Sequence, residues 1–318
     1  GHHADNAVAI KLDSGSELKG SNVKLTADKA EISGKITGNE QAEAALTLTT
    51  YSEGGTISLG GSEGLALGSE TLKNNISGFG TLFVGETAKK NSLQLNNAAV
   101  NADTVLNGSI KLQGDFEAAG HEVTMNTTAV SGSGAVTADG LHLAGSNADI
   151  KLVGSNQVKQ LDGEAGSLEF NNEGDIVLGS SGEAETGLIV KGDAKLQAAG
   201  SIDVTGSGLQ VAGKNELTAA EKLTVDSAVK GKEAKFGAKE ITCAAKGSLA
   251  TEGGKALLQT DKIVLSGEMP KVTTKGGEVA IDVASAGRDM YIGSAEGEGL
   301  TIADTAFIAS DGGKITVG

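Results

Sequence analysis

The chain has 318 residues and a formal net charge of −15, with 48 glycines, one proline and no tryptophan. Aromatic residues make up only 3% of the chain, which excludes a broad aromatic core and favours a narrow interior filled by aliphatic side chains. The acidic balance, with Arg288 as the single arginine, argues against nucleic-acid binding. No run of 18 apolar residues occurs, so we expect no membrane-spanning helix.

Residues 1–3 (Gly-His-His) resemble the remnant of an affinity tag, so we assign the repeat domain to residues 4–318 and expect a piece of a longer protein. The first predicted strand reads apolar, lysine, apolar, and this order places the lysine on the solvent face. We interpret such lysines as a guard against lateral strand association rather than as a ligand site. The order occurs at Ile10-Lys11-Leu12, Ile110-Lys111-Leu112 and Ile150-Lys151-Leu152. A similar placement of the lysine is expected at Ala194-Lys195-Leu196 and Glu221-Lys222-Leu223.

A longer module of three short apolar segments begins at Ile57 and returns at Ile176 and at Met290. Glycines border its segments, and the spacers between them vary in length, as is typical of corner loops in a repeat protein. Between the first two modules we predict further strands at Leu93/Leu95, Ile110/Leu112, Val123/Met125, Leu141/Leu143 and Ile150/Leu152.

Three columns of aliphatic residues recur every 18 to 22 positions in the second half of the chain. Three short strands per coil of about 20 residues indicate an all-β, right-handed parallel β-helix, in which each coil buries its faces against its neighbours. We expect about 15 coils in one elongated domain. The columns are Leu188, Leu209 and Val229; Leu196, Leu217, Phe236 and Leu257; and Ile202, Leu223, Ile241 and Ile263.

Parallel β-helices include polysaccharide lyases and hydrolases, whose chemistry needs convergent carboxylates on neighbouring coils. The columns place Asp203 opposite Thr224, and Asp226 opposite Thr205, so neither acid is predicted to stack on another. We therefore assign no catalytic residue and expect no enzyme activity. A carbohydrate-active enzyme stays open as an alternative, with its acids beside the elongated corner Ser180–Thr186, which contains Glu183 and Glu185.

Histidine and cysteine give no metal or cofactor pattern, because no HExxH or CxxC spacing occurs. We expect His121 at a Gly-His-Glu corner and His142 on an outward position, both at the solvated surface. Cys243 follows Ile241 by two positions and should point inward as a small buried hydrophobic residue. We assign no cofactor, metal or ligand-binding residue.

The segment LIVKGDAKLQAAGSIDVTGSGLQVAGKNELTAAEKLTVDS (188–227) resembles the repeats of filamentous-haemagglutinin-like exoproteins, the large adhesins of bacterial two-partner secretion. ISGFGTLFVG (76–85) and FIASDGGKITVG (307–318) are similar to coils of such adhesins, including biofilm-matrix types. The resemblance implies a secreted, surface-held rod and an outer-membrane secretion partner. The secretion domain of that family carries Asn-Pro-Asn-Leu motifs, whereas the single proline here is Pro270, so the chain resembles the repeat-bearing shaft.

Three hypotheses follow. The leading one is a shaft segment of a secreted bacterial surface adhesin that mediates or projects attachment to glycans, biofilm exopolysaccharide or cell-surface receptors. The second is a polysaccharide lyase or depolymerase, and the third is a spacer without a ligand of its own. In each case we expect a fragment that is monomeric or associates end to end through its unpaired terminal strands.

Overall fold

The computed structural model describes residues 9–180, 185–268, 271–292, 300–302, 308–311 and 313–318. It is a parallel β-solenoid of the right-handed type, with 64% strand, 3% helix and about 21 residues per turn. The all-β fold class is confirmed, and the number of turns is about 13 rather than about 15. The chain divides into two compact units, residues 1–158 and 159–318. A single domain over residues 4–318 stays a prediction, and residues 1–3 lie outside the described part.

Unit 1 contains the first strands and a short helix. Strand β17 also contributes its last residues to unit 2. The elements are β1 (Ala9–Leu12), β2 (Glu17–Lys19), β3 (Asn22–Thr26), β4 (Lys29–Ile32), β5 (Lys35–Thr37), β6 (Ala45–Thr49), β7 (Thr56–Gly60), β8 (Leu65–Gly68), α1 (Ser69–Asn74), β9 (Ile76–Ser77), β10 (Thr81–Val84), a 3₁₀ turn (Thr87–Lys89), β11 (Ser92–Leu95), β12 (Ala98–Ala99), β13 (Asp103–Asn107), β14 (Ser109–Leu112), β15 (Phe116–Asn126), β16 (Ala129–Gly132) and β17 (Val136–Asn172).

Strands of successive turns in unit 1 pair in parallel, and their inward residues stack into columns. Because the strands alternate apolar and polar residues, one set of side chains enters the interior and the other faces solvent. Phe116 stacks between Ala98 and Val136 and is fully buried. The strands predicted between the first two modules are confirmed, since their inward residues pair as Leu93↔Ile110, Ile110↔Val130 and Val123↔Leu141.

One turn of unit 1 is much longer than the rest. Leu46 pairs directly with Leu82, although β7, β8, α1 and β9 lie between them in the sequence. Ile57 pairs both with Leu93 of the next turn and with Leu65, so β7 belongs to the stack and the added elements are β8, α1 and β9. The helix α1 carries Glu70 in its first turn and Lys73 in its last, and these charges are placed favourably for the helix dipole. The helix buries Leu72. This helix was not predicted from the sequence.

Unit 2 is built of the remaining strands. It includes the stretch in which the aliphatic columns are most regular. The elements are β18 (Ile176–Leu178), β19 (Leu188–Val190), β20 (Ala194–Ala198), β21 (Ile202–Val204), β22 (Leu209–Val211), β23 (Lys214–Ala219), β24 (Lys222–Val225), β25 (Ala228–Gly231), β26 (Glu233–Cys243), β27 (Ser248–Thr251), β28 (Ala256–Leu265), β29 (Val272–Lys275), β30 (Glu278–Asp282), β31 (Met290–Ile292), β32 (Leu300–Ile302), β33 (Ile308–Asp311) and β34 (Lys314–Val317).

The predicted columns of unit 2 are confirmed with one correction. Leu188, Leu209 and Val229 pair in register, as do Ile202, Leu223, Ile241 and Ile263. The second column runs Leu196, Leu217, Phe236 and then Leu258, so the assignment of Leu257 was wrong. Leu257 pairs with Lys235 instead. Adjacent leucines made both registers plausible by sequence, and a shift of one residue moves a side chain to the opposite face.

Buried threonines hold the corners of both units. Each donates its hydroxyl to a backbone carbonyl two or three residues further on, which gives the buried hydroxyl a hydrogen-bond partner. The bonds join Thr50 to Ser52, Thr127 to Ala129, Thr251 to Gly254, Thr260 to Lys262 and Thr274 to Gly277.

The longer module of the sequence is not one repeated structural unit. In its first and third copies the first two segments pair with each other, Ile57 with Leu65 and Met290 with Leu300. In the second copy Ile176 pairs instead with Ile202, one turn further on. Similar segments therefore serve two different connections. No described helix is long and apolar enough to cross a membrane.

Candidate functional site

The acids of the regular stretch take the positions that the columns predict. Asp203 lies opposite Thr224 in the next turn and opposite Val177 in the previous one. Its neighbours across the stack are therefore uncharged. Val204 pairs with Val225, which continues the same register towards Thr205 and Asp226.

The elongated corner Ser180–Thr186 is closed by an antiparallel bridge between its two end residues. The hydroxyl of Thr186 donates to Oδ2 of the buried Asp162, and the hydroxyls of Ser180 and Thr186 are 2.8 Å apart. These hydrogen bonds hold the two ends of the corner together and connect them to Asp162. Glu185 is exposed beside it, and Glu183 lies outside the described residues.

His121 and His142 belong to unit 1, and Cys243 belongs to unit 2. His121 is part of β15, beside a register irregularity, and its ring nitrogens contact Oδ1 of Asp103 at 3.3 Å and Oδ1 of Asn101 at 3.1 Å. His142 is exposed between two buried leucines, as predicted. Cys243 is fully buried, and burial raises the pKa of its thiol to about 11, so it is a packing residue in the thiol form.

The outward lysines predicted to face solvent do so, and in unit 2 several bridge neighbouring turns. Glu240 accepts hydrogen bonds from Lys262 at 2.8 Å, and its carboxylate lies 3.0 Å from Lys222 on the other side. The Lys262 and Lys222 ammonium groups lower the pKa of Glu240 to about 2. Other cross-turn pairs are Lys195–Glu169, Lys235–Glu216, Lys239–Glu221 and Lys255–Glu278.

A second set of lysines in unit 2 lines a shallow groove of about 460 Å³, which we call the basic groove. Lys191, Lys230 and Lys232 are exposed along it. Within the described part of the chain, none of the three forms an ion pair with a carboxylate. They therefore differ from the paired lysines, because their ammonium groups are available to a ligand.

Register explains how these lysines come together. Gln210 pairs with Ile189 in the previous turn and with Lys230 in the next, so the three form an outward column along the groove. The groove also borders Val190 and Val211, whose side chains are buried in the interior. The groove thus offers ammonium groups, the Gln210 amide and the exposed Ile189 side chain on consecutive turns.

Carboxylates stand at both ends of this surface. Glu164 pairs with Ile189 from the preceding turn and is exposed. Glu252 lines the far end, one turn beyond Lys232. The positive region is therefore confined to about three turns of the solenoid.

Unit 1 contains a separate cavity of about 390 Å³ between α1 and the adjoining turns. Leu72, Phe79 and Leu82 form part of its apolar lining, and Lys73 and Glu117 stand at its polar rim. Because the rim carries one positive and one negative side chain, it gives no net preference for a charged ligand.

The basic groove was not predicted from the sequence, although the spacing of the columns contains a signal for it. Lys191, Ala212 and Lys232 each follow a column residue by three positions, at Leu188, Leu209 and Val229. Residues at the same offset share a corner of successive turns. The predicted outward lysines lie between apolar residues on the strands, whereas Lys191 and Lys232 lie at corners.

Among the described residues, no three His, Cys, Asp or Glu side chains are grouped in a way that could hold a metal ion. No protein-family model, curated protein or solved structure matches the chain.

Proposed function

We propose that the chain is a non-catalytic shaft segment of a large secreted bacterial surface adhesin, and that it attaches to glycans through its outer walls. The segment would reach the cell surface through an outer-membrane secretion partner. The segment would act as a binding surface, on which many weak contacts together hold the protein on the glycan.

The observation that supports this proposal is the continuous wall of unit 2. The column begun by Leu188, Leu209 and Val229 continues through Leu249, Val272 and Ile308 in the same register. Stacked strands lie about 4.8 Å apart, so outward side chains repeat at that spacing along the wall. A wall of this kind suits a polymeric ligand with a repeat of comparable size.

The test is retention of the purified chain on a panel of immobilised glycans and bacterial exopolysaccharides, with released sugar measured in the same wells. We expect retention without soluble product. Release of oligosaccharide would overturn the proposal in favour of a lyase or depolymerase. A folded protein that is retained on none of the glycans would instead be a spacer.

The position of any catalytic acid would follow from the same assay. If product appears, Glu185→Gln tests the elongated corner, because Glu185 is the exposed acid beside Asp162 and Thr186. Loss of product in that variant, with retention unchanged, would assign the chemistry to this corner.

A further inference from the structure

We propose that the basic groove binds an acidic polysaccharide in which charged and neutral sugars alternate. This inference rests on the proposed adhesive function and deepens it by naming the ligand class. The charged group is a carboxylate or a sulfate, since an ammonium group accepts either. The occupant lies along the stacking direction, across the turns that carry Lys191, Lys230 and Lys232.

The charges at one corner of the stack match an alternating polymer. Lys191, Ala212, Lys232 and Glu252 lie on four successive turns, each three positions after a residue of the same column. The backbone N–H of Lys232 donates to Gly213, so the uncharged pair Ala212-Gly213 lies between the two lysines. The order is positive, neutral, positive, negative. Two turns separate the lysines, which corresponds to ~10 Å at the spacing of stacked strands.

A sugar ring in an extended chain advances by about the spacing of one turn. Acidic groups on alternate sugars would therefore meet Lys191 and Lys232, while the sugar between them would cover Ala212. A further neutral sugar would lie at Glu252. A polymer with an acid on every sugar would instead bring a carboxylate against the Glu252 carboxylate, which is unfavourable.

The second argument is the availability of the cations. Elsewhere in unit 2, lysine ammonium groups bridge to glutamates of neighbouring turns, as Lys262 does to Glu240 at 2.8 Å. In the described structure the groove lysines have no such partner. Binding a polyanion here requires no existing ion pair to be broken. The free-energy cost of binding on the protein side is therefore mainly the ordering of exposed side chains.

The third argument is the surface between the cations. Ile189, which is 38% exposed, offers an apolar patch for the C–H groups of a sugar ring. The neighbouring Gln210 amide can both donate and accept hydrogen bonds, which suits sugar hydroxyls. A shallow, open groove of about 460 Å³ admits a chain that continues beyond it on both sides.

A nucleic acid fits this surface less well. The protein carries a net charge of −15, and Glu164 and Glu252 bound the groove, so a duplex with closely spaced phosphates on both strands would meet repulsion around the lysines. A single-stranded oligonucleotide is therefore included in the test as a competing polyanion.

The experiment measures binding of the full chain to four immobilised polymers at low salt. Hyaluronan carries a carboxylate on alternate sugars and kappa-carrageenan a sulfate on alternate sugars. Polygalacturonate carries a carboxylate on every sugar, and dextran is neutral. We expect hyaluronan or kappa-carrageenan to bind more tightly than polygalacturonate, and dextran to bind least, and the comparison of the first two identifies the anionic group.

Three variants locate the site. Lys191→Gln/Lys232→Gln should weaken binding to the alternating polymer about tenfold, since two exposed ion pairs are lost. Lys35→Gln/Lys111→Gln removes the same charge from outward positions of unit 1 and should leave binding near the wild-type level. Glu252→Gln should strengthen binding to polygalacturonate and so reduce the difference in affinity between polygalacturonate and hyaluronan.

Equal weakening by the two double variants would overturn the assignment to the groove. Equal or tighter binding of polygalacturonate or of the oligonucleotide by the wild type would overturn the alternation argument. If the wild type is retained on other glycans of the panel but on none of these polymers, this inference fails and the adhesive function stands. If it is retained on no glycan at all, both fail.

Discussion

The regular stretch 188–265 of unit 2 and the long turn 46–82 of unit 1 both stack apolar residues of successive turns, but they connect the stacked strands differently. In the regular stretch each turn contributes three short strands, and the inward residue of every strand stacks on its counterpart in the next turn. In the long turn, Leu46 still stacks on Leu82, but β7, β8, α1 and β9 occupy the chain between them.

The difference teaches where a solenoid tolerates insertion. The paired column residues keep their register, since Leu46 pairs with Leu82 and Ile57 with Leu93. The added strands β8 and β9 pair with β7 and β5, and α1 borders a cavity of about 390 Å³. Loops and added elements at corners leave the stacked strands unchanged. We therefore expect the interior to be packed more tightly in the regular stretch than beneath α1.

The largest expected effect compares two phenylalanines. Phe236 is fully buried between Leu217 and Leu258, whereas Phe79 is 8% exposed and lines the cavity beside α1. Phe236→Ala should lower the free energy of unfolding by about 4 kcal/mol, because it leaves a void in a close-packed stack. Phe79→Ala should cost less than half as much, because its surroundings already contain space.

Urea unfolding followed by circular dichroism measures both variants. Because a stacked repeat can unfold in parts, the loss is read from the transition of the unit that carries the substitution. Equal losses for Phe236→Ala and Phe79→Ala would show that the turn beneath α1 is packed as tightly as the regular stretch.

A smaller effect is expected at the corners of the regular stretch. Gly208 has φ +81°, and an added Cβ would lie 2.1 Å from the carbonyl oxygen of Ala228. Gly253 has φ +89°, and the nearest atom to its added Cβ is 3.8 Å away. Gly253→Ala should cost about 1 kcal/mol for the left-handed backbone alone. Gly208→Ala should cost about 3 kcal/mol, because the next turn must also move.

Thermal unfolding of the two alanine variants checks this difference. A similar small loss in both would mean that the corner at Gly208 shifts freely, and that stacking of the strands alone maintains the spacing of the turns.

The contrast also explains how far the sequence could predict the fold. In the regular stretch, strict alternation of apolar and polar residues determines both the faces and the register, and the predicted pairing was confirmed for all but one column position. It failed at Leu257 because Leu258 is equally apolar. Pattern alone cannot choose between adjacent leucines, since the choice depends on which one stacks on Phe236.

The long turn could not be predicted in the same way. The helix α1 has only six residues, too few for a helical period to be distinguished from a loop, and its stability comes from burying Leu72. The basic groove depends on corner residues that are brought together by stacking. Its lysines could have been found by following the offset from the columns, but their lack of ion-pair partners required side-chain positions.

A third prediction concerns two buried asparagines. Asn156 accepts a hydrogen bond from the backbone of Val136 at 2.8 Å and donates one to Leu152 at 2.8 Å. Asn215 is fully buried between Ala194 and Ala234, and neither polar atom of its amide has a partner among the described residues. Asn156→Ala should destabilise the protein by about 2 kcal/mol, whereas Asn215→Ala should stabilise it by about 1 kcal/mol.

Denaturant midpoints of the two variants and the wild type give the sign of each change. Loss of stability in Asn215→Ala would mean that its amide is satisfied in solution and that the regular stretch contains a polar contact within its core.

The smallest effect concerns acid stability of the ion-paired wall. Glu240 has a pKa of about 2 in the folded chain, below its ordinary value of 4.5, because Lys262 and Lys222 favour the carboxylate. A lowered pKa contributes stability that is complete above about pH 4.5 and is lost as the pH falls towards 2. The side chain is 26% exposed, so the contribution should be less than about 1 kcal/mol. Glu240→Gln should remove this part of the pH dependence, whereas Glu252→Gln, which breaks no described ion pair, should retain it. Unfolding free energies measured from pH 5 to pH 2 distinguish the two, and parallel curves for both variants would mean that the cross-turn pairs are screened by solvent and that parallel stacking alone maintains this wall.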